Sequence, residues 1–168
     1  MRSYHVLLVS ASVSFSLACG SGGSEPLAPG QTCDLVTVGP LIGYSYQTMA
    51  QPVATGGKIA DGVYDLTQIV EHDKASGAWS SNNAPAFRWS IRFTTQERSP
   101  NHAEGLVTSA IDLPPAHACD TGRFATVETD LRMQTKAHPE LNVERYAVTP
   151  DWLMLLSKGE TYVFRQRR

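Results

Sequence analysis

A chain of 168 residues with a net charge of −2 is long enough for one domain with a substantial core. Its 14 Lys+Arg stand against 16 Asp+Glu. That leaves no basic surplus to neutralise phosphates, which speaks against nucleic acid as a partner.

In chain order, the first element is an apolar run. Arg2 supplies one positive charge, and Val6 to Ala18 is uncharged. A helix needs about 20 apolar residues to span a bilayer; this run is shorter and fits the apolar region of a secretory signal. It closes on Phe15-Ser16-Leu17-Ala18-Cys19-Gly20. A cysteine directly after small residues at this boundary resembles the lipobox of bacterial lipoproteins. The resemblance implies that residues 1–18 are removed and that Cys19 carries a diacylglyceryl anchor. Ser16-Leu17-Ala18 also satisfies the small-x-small rule of ordinary signal peptidase, which would cut the same bond. Gly20, rather than Asp, implies outer-membrane sorting by that family's rule.

Residues 19–32 continue as a Gly/Ser/Pro-rich tether without apolar period; a dozen such residues reach about 20 Å as a random coil. An odd count of three cysteines leaves one unpaired in an oxidising compartment. With Cys19 consumed by lipid, Cys33 and Cys119 remain, either as a disulfide worth at most about 4–5 kcal/mol or as two separately buried thiols.

The folded body is expected over residues 33–168 as a single β domain. Leu35 to Val38 reads as a first strand. Pro40 to Gly57 wanders through Gly43, Pro52 and Gly56-Gly57 as a loop with a short strand inside it. From Lys58 onward the period is two, as in half-buried strands. Ala86 to Gln96 shows it best, with Phe87, Trp89, Ile91 and Phe93 alternating with Arg88, Ser90 and Arg92. Trp89 is therefore expected inside, and Arg88 and Arg92 exposed. Gly122 to Met133 repeats the alternation and reads as one strand, with Ala125, Val127, Thr129, Leu131 and Met133 on one face. Val63 to His72, Leu106 to Leu113, Val143 to Val148 and Thr161 to Arg165 are rougher strands. Thr149-Pro150-Asp151 has the form of a helix start, but the apolar stretch Trp152 to Leu156 is short and predicts a strand entering a hairpin at Lys158-Gly159. Seven or so strands without a long helical pattern predict an all-β antiparallel fold. Trp152, Met154 and Leu156 would share one face of that strand, to be covered by the tether, by the Pro40 to Gly57 segment or by a partner.

The stretch Gly57-Lys58-Ile59-Ala60-Asp61-Gly62-Val63-Tyr64-Asp65-Leu66-Thr67 resembles the first strand of small lipocalin-like lipoproteins. Tyr146 to Leu155, followed by Gly159 to Phe164, is similar to their closing hairpin. Tyr64 stands where the lipocalin tryptophan would be. The resemblance implies an up-and-down antiparallel barrel or half-barrel, with no long helix in the mature body, and implies no activity.

No catalytic motif emerges. Gly43-Tyr44-Ser45-Tyr46-Gln47 lacks the last glycine of a nucleophile elbow, and Gly57-Lys58 lacks the rest of a phosphate loop. Glu71-His72-Asp73 places three potential ligands together, but neighbours on a strand point to opposite faces. No metal or other cofactor is expected. The aromatic stripe Phe87, Trp89 and Phe93, with Tyr162 and Phe164, is the candidate ligand lining; plain core packing is its alternative. These observations predict a non-enzymatic, exported, lipid-anchored envelope protein that binds a small apolar ligand or an envelope component. A purely structural or protein-partner-binding module with a filled core is the second reading, and an enzyme of unknown class the third.

Overall fold

The computed structural model describes residues 33–72, 85–99 and 102–168; the signal-like run, Cys19, the tether and Asp73 lie outside the described residues. Among the described residues nine strands form one sheet. They are β1 (Tyr44–Gln47), β2 (Gly62–His72), β3 (Arg88–Ser99), β4 (His102–Leu113), β5 (Ala116–Val127), β6 (Asp130–Thr135), β7 (Asn142–Val148), β8 (Trp152–Ser157) and β9 (Glu160–Gln166). No helix occurs among the described residues, and Thr149-Pro150-Asp151 leads into a strand.

From β2 to β9 each strand is antiparallel to the next. β9 pairs back onto β2, from Tyr64 opposite Gln166 to Glu71 opposite Glu160. β2 and β3 are paired only over Gly62 to Asp65, so they diverge beyond. The opening is taken by the short strand expected within Pro40 to Gly57. Ile42 bridges Phe87, and β1 runs parallel to β2 with Tyr44 opposite Ile69.

The period of two sorts side chains as the alternation in β3 predicts. Ile91 and Phe93 are buried with Tyr64, Leu66, Phe124, Tyr146, Leu153, Leu155 and Phe164 in one core, each full burial worth about 1.5–3 kcal/mol. Rings meet edge to face, with centroids 5.9 Å apart for Tyr64–Phe93 and 5.0 Å for Phe93–Phe124. Ile59 is 1% exposed and belongs to this core. Trp89 points inward but stays half-buried. Arg88 and Arg92, expected in solvent, are half-buried because Asp112 and Asp34 each hold one at 2.6 Å.

Two expectations are corrected. Leu35 to Val38 is not a strand; it belongs to a segment, 33–39, lying on the outer face of the sheet. The Cys33–Cys119 disulfide (Cα–Cα 5.7 Å), the Asp34–Arg92 pair and two carbonyls fasten it. Val36 O accepts from Arg167, and Gly39 O from Arg88. Its neighbours on that outer face, Ser90, Thr108 and Ala110, are accordingly buried along with Leu35. Gly122 to Met133 is two strands, because the chain reverses at Glu128-Thr129 with Glu128 at φ 54°. The reversal changes the inward set. Phe124, Thr126, Leu131 and Met133 are buried, whereas Val127 is exposed.

The same wrapping chain continues over β8 and β9. The Gln51 amide donates to Ser157 O and Glu160 O, and Gly56 pairs with Ala147. Of the three outward apolar residues on β8, Leu156 is 7% exposed and Met154 half-buried. Trp152 remains 37% exposed beneath the Arg165 guanidinium, 5.5 Å from its ring centroid.

Candidate ligand cavity

Inward positions form successive rungs across β3, β4 and β5. Trp89 lies opposite Ile111, which lies opposite Ala118. The next rung is Ile91, Ser109 and Asp120, and the third runs Phe93, Val107, Gly122 and on to Thr135. Large rings occupy β3, while Ala118, Ser109 and Gly122 place little volume opposite them. A cavity of about 500 Å³ results at the end carrying Trp89, within the size range of small-molecule sites.

Its walls are Trp89, Ile91, Val107, Ile111, Ala118 and Met133, with Ser109, Asp120, Thr135 and Asn142 as polar points. Trp89 Nε1 donates to Ser109 Oγ at 2.8 Å, which sets the indole plane. Its other edges meet Tyr162 and Phe164, at 5.6 Å and 5.1 Å between centroids. The rim is the loop between β6 and β7, where Ala137, His138, Glu140 and Leu141 face the cavity. Asp120 holds that loop. Its Oδ2 accepts from Ala137 N at 2.9 Å and its Oδ1 from Thr121 N at 2.8 Å. A backbone N–H and the His138 ring, 3.2 Å away, hold the Glu140 carboxyl below the usual carboxylate range.

The inner faces of β2, β7 and β9 carry acids at this same end. Glu71 lies opposite Glu160, and Glu144 opposite Leu131. Tyr162 donates its hydroxyl to Glu160. Burial, then the Glu160 charge, pushes the Glu144 carboxyl up, partly offset by a hydrogen bond from Asn142. Burial and Glu160 likewise raise the phenols of Tyr162 and Tyr44.

Of the five aromatic residues marked in the sequence, Trp89 alone lines the cavity. Phe93 and Phe164 are filled core, at 1% and 0% exposure. Phe87 packs at the edge of the core beside Ile42, and Tyr162 stands behind Trp89. The sequence reading missed Val107, Ser109, Asp120, Met133 and Asn142 as a group. The period of two would have found Asp120 had Ala116 to Asp120 been assigned to a strand. Glu71 and His72 point to opposite faces, as expected. His72 is buried between Met49 O at 3.0 Å and Thr161 Oγ1 at 2.9 Å. No group of three potential ligands comes together among the described residues.

A larger cleft of about 710 Å³ at the opposite end is lined by Lys58, Arg98, His102, Glu128 and Tyr146. Tyr146, part of the core, and Ala103 share its lining with these charged side chains. Arg98 is already engaged there by Ile59 O, Thr95 Oγ1 and Asp61. No protein family, no curated protein and no solved structure matches this chain.

Proposed function

We propose that this chain is an exported, lipid-anchored envelope protein whose β domain carries a small apolar ligand. One observation carries the binding role: the cavity beside Trp89, apolar on most sides and provided with a few polar points. The return of β9 onto β2 supports a barrel of eight strands, with β1 and the 33–57 segment wrapped around it. Such a barrel is just wide enough to be filled by side chains or to hold one small ligand. The lower part, around Tyr64, Phe93 and Phe124, fits the first description and the end around Trp89 the second. A small set of features favours the partner-binding alternative: Trp152 is exposed with Met154 beside it. The cover over Leu156 leaves that patch small, and ligand binding stands first.

Native mass spectrometry of the full-length protein should reveal a co-purified small molecule. Ala118→Trp, which places an indole in the cavity, should expel it. A protein that is empty both ways, and binds no apolar probe, overturns the ligand role.

The anchor rests on Cys19 following the signal-like run and heading the tether. A single acyl chain holds a protein only marginally, and lipoprotein processing would supply more than one; Gly20, rather than Asp, at the next position favours sorting to the outer membrane. Cys19→Ala should move the protein from the membrane to the soluble fraction. Unchanged partition would remove the anchor from the reading.

A further inference from the structure

The charge around the cavity defines the ligand class more narrowly. Two carboxylates, Asp120 and Glu140, line it, and among the described residues no Lys or Arg does. Its one imidazole, His138, faces Glu140. Further round the same end Glu144 and Glu160 occupy inward positions, with Tyr162 between Glu160 and the Trp89 wall. One sign of charge inside low-dielectric walls concentrates its field in the opening. A carboxylate- or phosphate-headed ligand would meet like charge there, whereas a cation would be drawn in. Asp120 gives the head its position. Each of its oxygens holds one backbone N–H, and a carboxylate has about four acceptor sites, so further acceptor capacity remains.

We propose that the cavity takes an apolar molecule with a protonated amine head, its tail against Trp89, Ile91, Val107 and Met133 and its head at Asp120. This rests on the cavity being the ligand site. Three probes of equal chain length separate the two ideas: decylamine, decanol and decanoate, titrated into the full-length protein by calorimetry below their micelle concentrations. Decylamine should bind roughly tenfold or more tightly than decanoate, the size of one hydrogen bond to a charged group. Added salt should weaken the amine and leave the alcohol unchanged. Asp120→Asn should bring decylamine close to decanol. Glu140→Gln, on the exposed rim where folding is not at stake, should reduce the amine preference by about twofold through the loss of one screened charge. Decanoate binding as tightly as decylamine overturns the amine assignment and leaves the cavity as an apolar site. An amine preference untouched in both variants also overturns it, since the head would then lie elsewhere. Failure of all three probes, decanol included, removes the ligand site and the amine assignment together.

Discussion

Glu144 shows how position on a strand turns an ordinary side chain into an unusual one. It sits two residues before Tyr146 on the inward face of β7, so the fold carries a carboxyl toward an apolar interior. Burial first, and the Glu160 charge after it, raise its proton affinity above that of the unfolded chain. A folded state that binds the proton more tightly loses stability as pH rises from the ordinary carboxyl range to the raised value, and is flat above it. Glu144→Gln keeps the shape and removes the titration. The variant should therefore gain on the parent at about pH 7 and lose that advantage at about pH 3, below the ordinary glutamate range. Thermal denaturation at both values checks this, and an equal difference at both would rule out burial as the cause.

At the scale of the strand, β4 and β5 are shaped by close backbone approaches. A Cβ at Gly122 would lie 2.0 Å from Gln134 O, and one at Gly105 2.1 Å from Thr94 O. Glycine allows the neighbouring backbones to approach this closely. Gly122→Ala must push β5 and β6 apart, at a cost of about 3 kcal/mol or more, the upper end of overpacking. Gly43, before β1, has nothing within 4 Å of the same atom, so Gly43→Ala should change stability by no more than about 0.5 kcal/mol. Denaturant midpoints of the two variants make the comparison. Equal losses would mean that close approach is not what Gly122 provides.

In the molecule as a whole, the 33–57 segment joins parts that the strand ladder leaves apart. It covers the outside of β3 to β5, enters the gap between β2 and β3 as β1, and crosses β8 and β9 to reach β7. The Cys33–Cys119 bond, across a separation of 86 residues, fastens its start. Replacing both cysteines by serine should cost about 2–5 kcal/mol. Hydrogen exchange should rise first at the outer-face residues Ser90, Thr108 and Ala110. A double variant as stable as the parent, with those amides unchanged, would show that the ion pairs and carbonyl contacts of Asp34, Val36 and Gly39 suffice to hold the segment.

Much of this was legible in the chain because it is local. The alternation from Phe87 to Phe93 reports which side chains turn inward, the short apolar stretch from Trp152 to Leu156 reports a strand, and Lys158-Gly159 marks its hairpin. Together they determined an all-β protein and put Trp89 and Tyr162 on the inner face. The turn at Glu128-Thr129 was hidden, since it contains neither glycine nor proline and its positive φ comes from the pairing of β5 with β6. The covering segment was hidden too: Leu35 to Val38 is extended in either case, and only the disulfide and the Arg88, Arg92 and Arg167 contacts hold it off the ladder. The cavity has no local signature. Its volume is the space left when Trp89 and Ile91 on one strand face Ser109, Ala118 and Gly122 on others. The gathering of Asp120, Glu144 and Glu160 at one end likewise depends on register between strands far apart in sequence. Side-chain direction is a property of each strand alone, but enclosed space and shared field exist only once the strands have met.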